Sequence, residues 1–210
     1  MRLKALDGIR GLLALFVVMY HVPESMLPDH PIIEVFHSGY IFVDVFFVLS
    51  GFVISLNYVG RIKETYHLFN FMKKRFLRLY PLLLFTSGIF LAIEIISTVY
   101  FPHYQGQVDS VQFLGIKFLD TLFLTNSVCL IGCDTGINYP SWSISAEFIS
   151  YLVFGLLLLK DVVYKVRSLL LLFCILFFIY SGNYAYDGDY GFVRGLYGFM
   201  LGNMAYTNRD

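Results

Sequence analysis

Long apolar segments constrain the fold of this chain more than any other feature of its sequence. Residues 40–59 and 79–101 each supply the roughly 20 largely apolar residues that a helix needs to cross a bilayer. Hydrophobic residues make up 58% of the 210 positions and charged residues 14%, whereas soluble domains average about 45–50% and about 25%. A single soluble core of this size cannot bury so much apolar surface. The sequence therefore predicts an all-α, polytopic integral membrane helix bundle.

Six segments are predicted to cross the membrane, and together they form a single domain over residues 1–210. The segments are 6–22, 40–59, 79–101, 141–159, 168–182 and 190–206. The stretch 111–131 is also apolar, but Lys117, Asp120 and Asn126 interrupt it. We expect this stretch to be an interfacial or re-entrant segment on the outer side of the membrane.

The distribution of charge predicts the orientation. Lys and Arg cluster in residues 60–78 and 160–167, whereas residues 23–39 contain acidic side chains and neither Lys nor Arg. By the positive-inside rule, the two basic segments and the N-terminus face the cytoplasm, which in a bacterium means a multi-pass protein of the inner membrane. Large apolar side chains accompany the basic ones in 60–78, a pattern that favours an amphipathic helix lying on the inner membrane surface.

The overall charge and the cysteines narrow the range of partners. With 15 basic and 15 acidic residues, the chain has no net charge, which argues against nucleic acid as a partner. The three cysteines do not form a metal-binding pattern, so we expect no metal. Cys129 and Cys133 are either unpaired thiols or a local disulfide.

Ionisable side chains within the predicted spans are candidates for the functional site. Each costs at least about 2.5–3.5 kcal/mol to insert and so needs a function or a partner. The predicted orientation places His21, Asp44 and Glu147 at a similar depth near the outer surface. A histidine with a nearby carboxylate is the minimum equipment of a general base; the alternative is that these groups pair only to hold helices together. We expect the Glu94 side chain to extend to the membrane interface. Arg194 either pairs with an acidic residue of a neighbouring helix or contacts a phosphate.

Three arginines are expected to meet near the cytoplasmic surface. Arg10 lies eleven residues before His21, which is three helical turns plus about 20°, so both project from one helical face. Arg75 and Arg78 lie just before the third span. Converging guanidinium groups can hold a polyphosphate through forked hydrogen bonds. Alternatively, these residues only determine topology and contact anionic lipids.

Five motifs, in this order along the chain, resemble those of the membrane-bound acyltransferase family 3. They are Leu6-Asp7-Gly8-Ile9-Arg10-Gly11 with His21 completing an Arg-x10-His motif, the segment 39–52, Lys74-Arg75-Phe76-Leu77-Arg78-Leu79-Tyr80-Pro81, Ser141-Trp142-Ser143-Ile144-Ser145-Ala146-Glu147-Phe148, and Arg194-Gly195 with the glycine-rich segment 198–202. Each motif alone is degenerate, whereas five in the correct order are specific.

The resemblance implies a membrane acyltransferase of the cell envelope that O-acylates polysaccharides. Members take an acyl group, usually acetyl, from cytoplasmic acyl-CoA and transfer it to a cell-surface or secreted glycan. The implied partners are acyl-CoA as donor co-substrate, a glycan or lipid-linked sugar as acceptor, and membrane lipids. No tightly bound cofactor is implied. On this interpretation Arg10, Arg75 and Arg78 bind the phosphates of coenzyme A.

The resemblance also implies roles for the residues near the outer surface. His21 would act as the general base on a sugar hydroxyl, which attacks either the thioester itself or an acyl-enzyme. Glu147 would orient His21 or a sugar hydroxyl, and Asp44 is the alternative for that role. Proton transfer by a positioned base accelerates such a step by about 10²–10⁴.

Other functions fit parts of the sequence. Family members usually have more spans than the six predicted here, so we expect a shortened form. The further C-terminal helices are then either lacking altogether or supplied by a partner subunit. A catalytically inactive remnant that acts as a membrane partner is therefore an alternative. A transporter fits less well, because the sequence shows neither paired broken helices nor an inverted repeat.

Overall fold

The structure, a computed structural model, describes residues 4–22, 39–100, 111–128, 130–131, 136–185 and 188–209. Over these residues it is helical and contains no strand, which confirms the all-α class. The helices are α1 (Lys4–Tyr20), α2 (Tyr40–Tyr58), α3 (Thr65–Tyr100), α4 (Val111–Leu122), a 3-10 turn (Tyr139–Ser141) leading into α5 (Trp142–Leu159), α6 (Val163–Ser181) and α7 (Gly191–Thr207). Cys129, Cys133 and nearly all of the predicted outer segment 23–39 lie outside the described residues.

Four of these elements are long and apolar enough to cross a membrane. They are α2, α3, the combined segment Tyr139–Leu159 and α6. The helices α1 and α7 have 17 residues each, the lower limit for a span. The chain is thus a helical membrane bundle, and the limits of the six individual spans stay predictions.

The helix α3 differs from the sequence-based expectation. We expected a surface helix within 60–78 followed by a separate span, but one continuous helix runs from Thr65 to Tyr100 and passes through Pro81. Its 36 residues extend about 54 Å, well beyond the roughly 30 Å of bilayer hydrocarbon. Proline is tolerated inside membrane helices because neighbouring groups satisfy the freed backbone. The basic part of this helix is therefore continuous with the membrane-crossing part.

The helix α4 is too short to cross a bilayer. Its 12 residues extend about 18 Å, in agreement with an interfacial or re-entrant segment. Polar residues that follow it form hydrogen bonds around the start of α5: Asn126 donates to Ser141 of the 3-10 turn at 2.8 Å, and the hydroxyls of Ser127 and Ser145 lie 2.8 Å apart. These buried bonds anchor the chain beside the N-terminus of α5.

The helix α7 occupies the centre of the bundle and packs mainly on α2, with further contacts to α5 and α6. Glycines make the close approach to α2 feasible. A Cβ atom added at Gly51 would lie 2.0 Å from the carbonyl oxygen of Phe199, and one at Gly202 would lie 2.0 Å from that of Val48. Small residues at helix interfaces drive association in membranes because they let backbones touch. This packing fixes α2, which carries much of the candidate site.

Candidate active site

A basic cavity of about 670 Å³ opens where the start of α1, the turn after α2 and the first half of α3 meet. Five Lys and Arg side chains and one histidine line it: Arg10, Arg61, His67, Lys74, Arg75 and Arg78. The structure therefore brings together the three arginines that the sequence singled out. Among the lining residues that the structure describes, none is acidic, so this part of the wall favours an anionic ligand.

A second, largely apolar cavity of about 520 Å³ adjoins the first. Its wall consists mostly of Val, Phe, Ala, Leu and Ile side chains from α1, α2 and α3, with Glu147, Ser143 and Tyr151 from α5. Arg10, Arg75 and Arg78 line both cavities. The two cavities therefore meet at these three guanidinium groups. We call Arg10, Arg75 and Arg78 together the arginine throat.

A hydrogen-bonded chain connects the throat to Glu147. Arg10 donates from a terminal nitrogen to the Ser50 hydroxyl at 3.1 Å. The hydroxyls of Ser50 and Tyr151 both donate to Oε1 of Glu147 in short hydrogen bonds. The carboxylate is thereby held against the apolar cavity, and among the described residues its Oε2 accepts no hydrogen bond.

Arg75 is fixed by aromatic side chains. Its terminal nitrogen donates to the hydroxyl of Tyr58 at 3.0 Å, and its guanidinium lies 5.3–5.8 Å from the ring centroids of Tyr58, Phe71 and Tyr151. Cation–π contacts of this kind orient a guanidinium without neutralising it. Within the described part of the chain, the buried Nε atoms of Arg75 and Arg10 have no hydrogen-bond partner.

His21 follows the last residue of α1 and is exposed. Its Nδ1 lies 2.8 Å from the carbonyl oxygen of Val17. A carbonyl oxygen can only accept, so Nδ1 carries the hydrogen and the neutral ring has its free lone pair on Nε2. Val17 also lines the apolar cavity, which puts His21 one helical turn beyond a wall residue of that cavity. No described contact joins His21 to Glu147 or Asp44.

Asp44 instead pairs with Arg194. The guanidinium donates to both carboxylate oxygens, from Nε at 2.6 Å and from a terminal nitrogen at 3.0 Å. Arg194 is 1% exposed, and its predicted ion pair with an acidic residue of another helix is present. Partial burial raises the pKa of Tyr184 to about 12, and the neighbouring Asp44 carboxylate shifts it in the same direction. The Tyr184 phenol therefore stays protonated near neutral pH.

Two polar residues of the site were missed in the sequence. Tyr151 lies four residues after Glu147, a helical spacing at which side chains meet, so inspection of the Glu147 face could have identified it. Ser50 gave a weaker signal: it is one hydroxyl in an apolar helix, and a serine in that setting usually bonds its own backbone.

Comparison with known proteins identifies relatives for nearly the whole chain. The model of a family described as an acyltransferase domain, Acyl_transf_3, matches residues 3–210. The chain is 31% identical to Protein 2 in picA locus of Rhizobium radiobacter, over 73% of this chain and 81% of that protein. It is 32% identical to Acyltransferase MdmB of Streptomyces mycarofaciens, over 74% of this chain and 39% of that protein.

A third relative is the O-acetyltransferase OatA of Staphylococcus aureus, 30% identical over 45% of this chain and 14% of OatA. The chain thus spans less than half the length of MdmB and OatA. No solved structure matches the chain.

Proposed function

Because the chain belongs to the acyltransferase family defined by this domain, we propose that it transfers an acyl group, normally acetyl, from cytoplasmic acyl-CoA to a hydroxyl of a cell-surface or secreted glycan. The observation that carries this proposal is the pair of cavities that meet at the arginine throat. The name of the S. aureus relative, an O-acetyltransferase, favours acetyl as the group and a hydroxyl as the acceptor.

The two cavities match the two halves of acyl-CoA. Coenzyme A joins a multiply charged nucleotide to an uncharged, flexible pantetheine arm that ends in the acyl thioester. The basic cavity suits the nucleotide, and the adjoining apolar cavity suits the arm. Arg10, Arg75 and Arg78 stand at the boundary, where forked hydrogen bonds would hold the phosphates next to the arm.

The orientation of this site fits a cytoplasmic donor. The cationic side chains that line the basic cavity come from the start of α1, the turn after α2 and the first half of α3. By the positive-inside rule this end of the bundle faces the cytoplasm. The N-terminus then lies inside, and His21 lies towards the outer surface of the bacterial inner membrane, where a glycan or lipid-linked sugar is available.

His21 acts as the general base. Its hydrogen bond to the carbonyl of Val17 leaves Nε2 as the acceptor, the state that a base requires. Nε2 removes the proton of the sugar hydroxyl as the oxygen attacks the acyl carbonyl carbon. A new C–O ester bond forms and the C–S bond of the donor breaks. The proton is returned to the sulfur, and CoA leaves as the thiol. If the acyl group first passes to the enzyme, the same base removes the proton of the sugar hydroxyl that attacks the acyl-enzyme.

Glu147 orients the acceptor rather than the histidine. Ser50 and Tyr151 donate to its Oε1, which leaves Oε2 to accept a hydrogen from a sugar hydroxyl. A carboxylate held by two donors at a cavity wall positions a substrate group without reorganising. Asp44 takes no part in the proton transfer, because Arg194 engages both of its oxygens.

The side from which the donor enters tests the proposal. Inverted and right-side-out membrane vesicles carrying the chain would be supplied with acetyl-CoA, and release of the CoA thiol would be compared with vesicles that lack the chain. We expect chain-dependent release in inverted vesicles, whose cytoplasmic face is accessible. Release confined to right-side-out vesicles, or absent from both, would contradict a cytoplasmic acyl-CoA donor.

A further inference from the structure

The cationic residues of the basic cavity fall into two groups. Arg10, Arg75 and Arg78 form the arginine throat and line both cavities, whereas Arg61 and Lys74 line the basic cavity alone. Only the first group therefore borders the apolar cavity. A ligand whose apolar part occupies that cavity meets Arg61 and Lys74 only with the part that extends into the basic cavity.

The covalent structure of coenzyme A has the same two-part order. The diphosphate is bonded directly to the pantetheine arm, and the 3′-phosphate lies beyond it on the ribose. If the arm fills the apolar cavity, the diphosphate lies at the throat and the 3′-phosphate lies within the basic cavity. A phosphomonoester carries about −1.5 to −2 charges at pH 7, so this group needs cations of its own.

We infer that Arg61 and Lys74 form a subsite for the 3′-phosphate of the donor nucleotide, so that the protein selects thioesters carrying the whole of coenzyme A. This inference rests on the proposed function. Arg61 lies in the turn after α2, where its backbone N–H donates to Tyr58 at 3.0 Å. Lys74 lies on α3 directly beside Arg75, so the subsite joins two elements that also hold the throat.

Donor selection follows from this arrangement. A thioester on a carrier-protein phosphopantetheine has a single phosphate next to its arm and no nucleotide. It would engage the throat but leave Arg61 and Lys74 without a ligand. An anionic lipid headgroup would meet the same cations, but it would not distinguish donors by their 3′-phosphate. An experiment that compares donors with and without the 3′-phosphate therefore distinguishes coenzyme A from a lipid headgroup as the ligand of these cations.

The test compares the binding of coenzyme A and 3′-dephospho-coenzyme A to the purified chain. We expect wild type to prefer coenzyme A by about tenfold to hundredfold, the range for charge-assisted hydrogen bonds. The double variant Arg61→Gln/Lys74→Gln should lose most of this preference while its affinity for the dephospho form changes little. Arg75→Gln should weaken both ligands by a similar factor.

Matched controls are adjacent in the sequence. Lys63 and Lys73 are exposed cations beside Arg61 and Lys74, and neither lines the cavity. The double variant Lys63→Gln/Lys73→Gln should keep the preference. Equal binding of both ligands to wild type, or an undiminished preference in Arg61→Gln/Lys74→Gln, would overturn the subsite while leaving acyl-CoA as donor. Failure of wild type to bind either ligand would overturn the proposed function as well.

Discussion

Arg194 of α7 donates two hydrogen bonds to the carboxylate of Asp44 on α2, at 2.6 and 3.0 Å. A third bond, at 2.6 Å, reaches the carbonyl oxygen of Tyr40, and the rings of Tyr40, Trp142 and Tyr184 surround the guanidinium at 5.5–5.8 Å. The side chains are 1% and 16% exposed. This pair joins the two most closely packed helices of the bundle, so we infer that it is structural.

Breaking one partner of this pair should destabilise the protein. Asp44→Asn leaves a buried guanidinium without a counter-charge, which costs about 3–5 kcal/mol in comparable sites. We expect a lower midpoint of thermal unfolding in detergent, and partial recovery in Asp44→Asn/Arg194→Gln because the second change removes the uncompensated charge. A stable Asp44→Asn variant that has lost acyl transfer would instead indicate a catalytic role.

The partners of the polar residues that the sequence singled out were harder to predict than the positions of those residues along their helices. Asp44 and Glu147 were placed at one depth with His21, yet Asp44 faces Arg194 and Glu147 faces Ser50. Depth follows from position along a helix, whereas the partner depends on how each helix is rotated about its axis. That rotation is set by packing against neighbours, which a single sequence does not reveal.

The helix class and the basic cavity were more predictable. Apolar length and charge clusters are local properties, so they identified the membrane helices and the meeting of Arg10, Arg75 and Arg78. The union of the basic segment with the third span in α3 was not foreseen, because the basic and apolar side chains of 60–78 favour a separate helix on the membrane surface. Proline marks helix ends in water but is accommodated within membrane helices.

The close packing of α2 on α7 makes a second prediction. Gly51→Ala should destabilise the bundle by about 1–3 kcal/mol, the usual cost of overpacking, because the new methyl group would lie 2.0 Å from the Phe199 carbonyl oxygen. Gly88→Ala in α3 is the control, since nothing lies within 4 Å of its added Cβ. Thermal unfolding in detergent measures both; equal effects would show that the α2–α7 contact is not limiting.

The hydrogen-bonded chain through Ser50 makes a third prediction. Ser50→Ala removes both the acceptor for Arg10 and a donor to Glu147, so acyl transfer should fall by about tenfold, equivalent to one hydrogen bond of about 1.4 kcal/mol. Ser50→Thr keeps the hydroxyl and should retain more activity than Ser50→Ala.

The control for this serine is Ser150→Ala on α5. That hydroxyl is also buried, but among the described residues it bonds only the carbonyl oxygen of Ala146, and it lines neither cavity. A decrease in transfer of the same size in Ser150→Ala would mean that the effect of Ser50→Ala is a general loss of folding. Unchanged transfer in Ser50→Ala would remove Ser50 from the site.

The role of His21 as the base is the central claim. Glutamine keeps a hydrogen-bonding side chain of similar reach, but it does not take up a proton near neutral pH. Because the arginine throat lies about three helical turns away along α1, His21→Gln should leave the affinity for coenzyme A unchanged. Membrane insertion should also be normal, since His21 is exposed beyond the end of α1.

The most direct test follows labelled acetyl from acetyl-CoA into the glycan fraction of membranes that carry wild type or His21→Gln, with coenzyme A binding measured on the same preparations. The account predicts that transfer falls by at least about 100-fold while donor affinity stays the same. Near-normal transfer by His21→Gln would contradict proton transfer by this residue and leave it as a hydrogen-bonding partner of Val17.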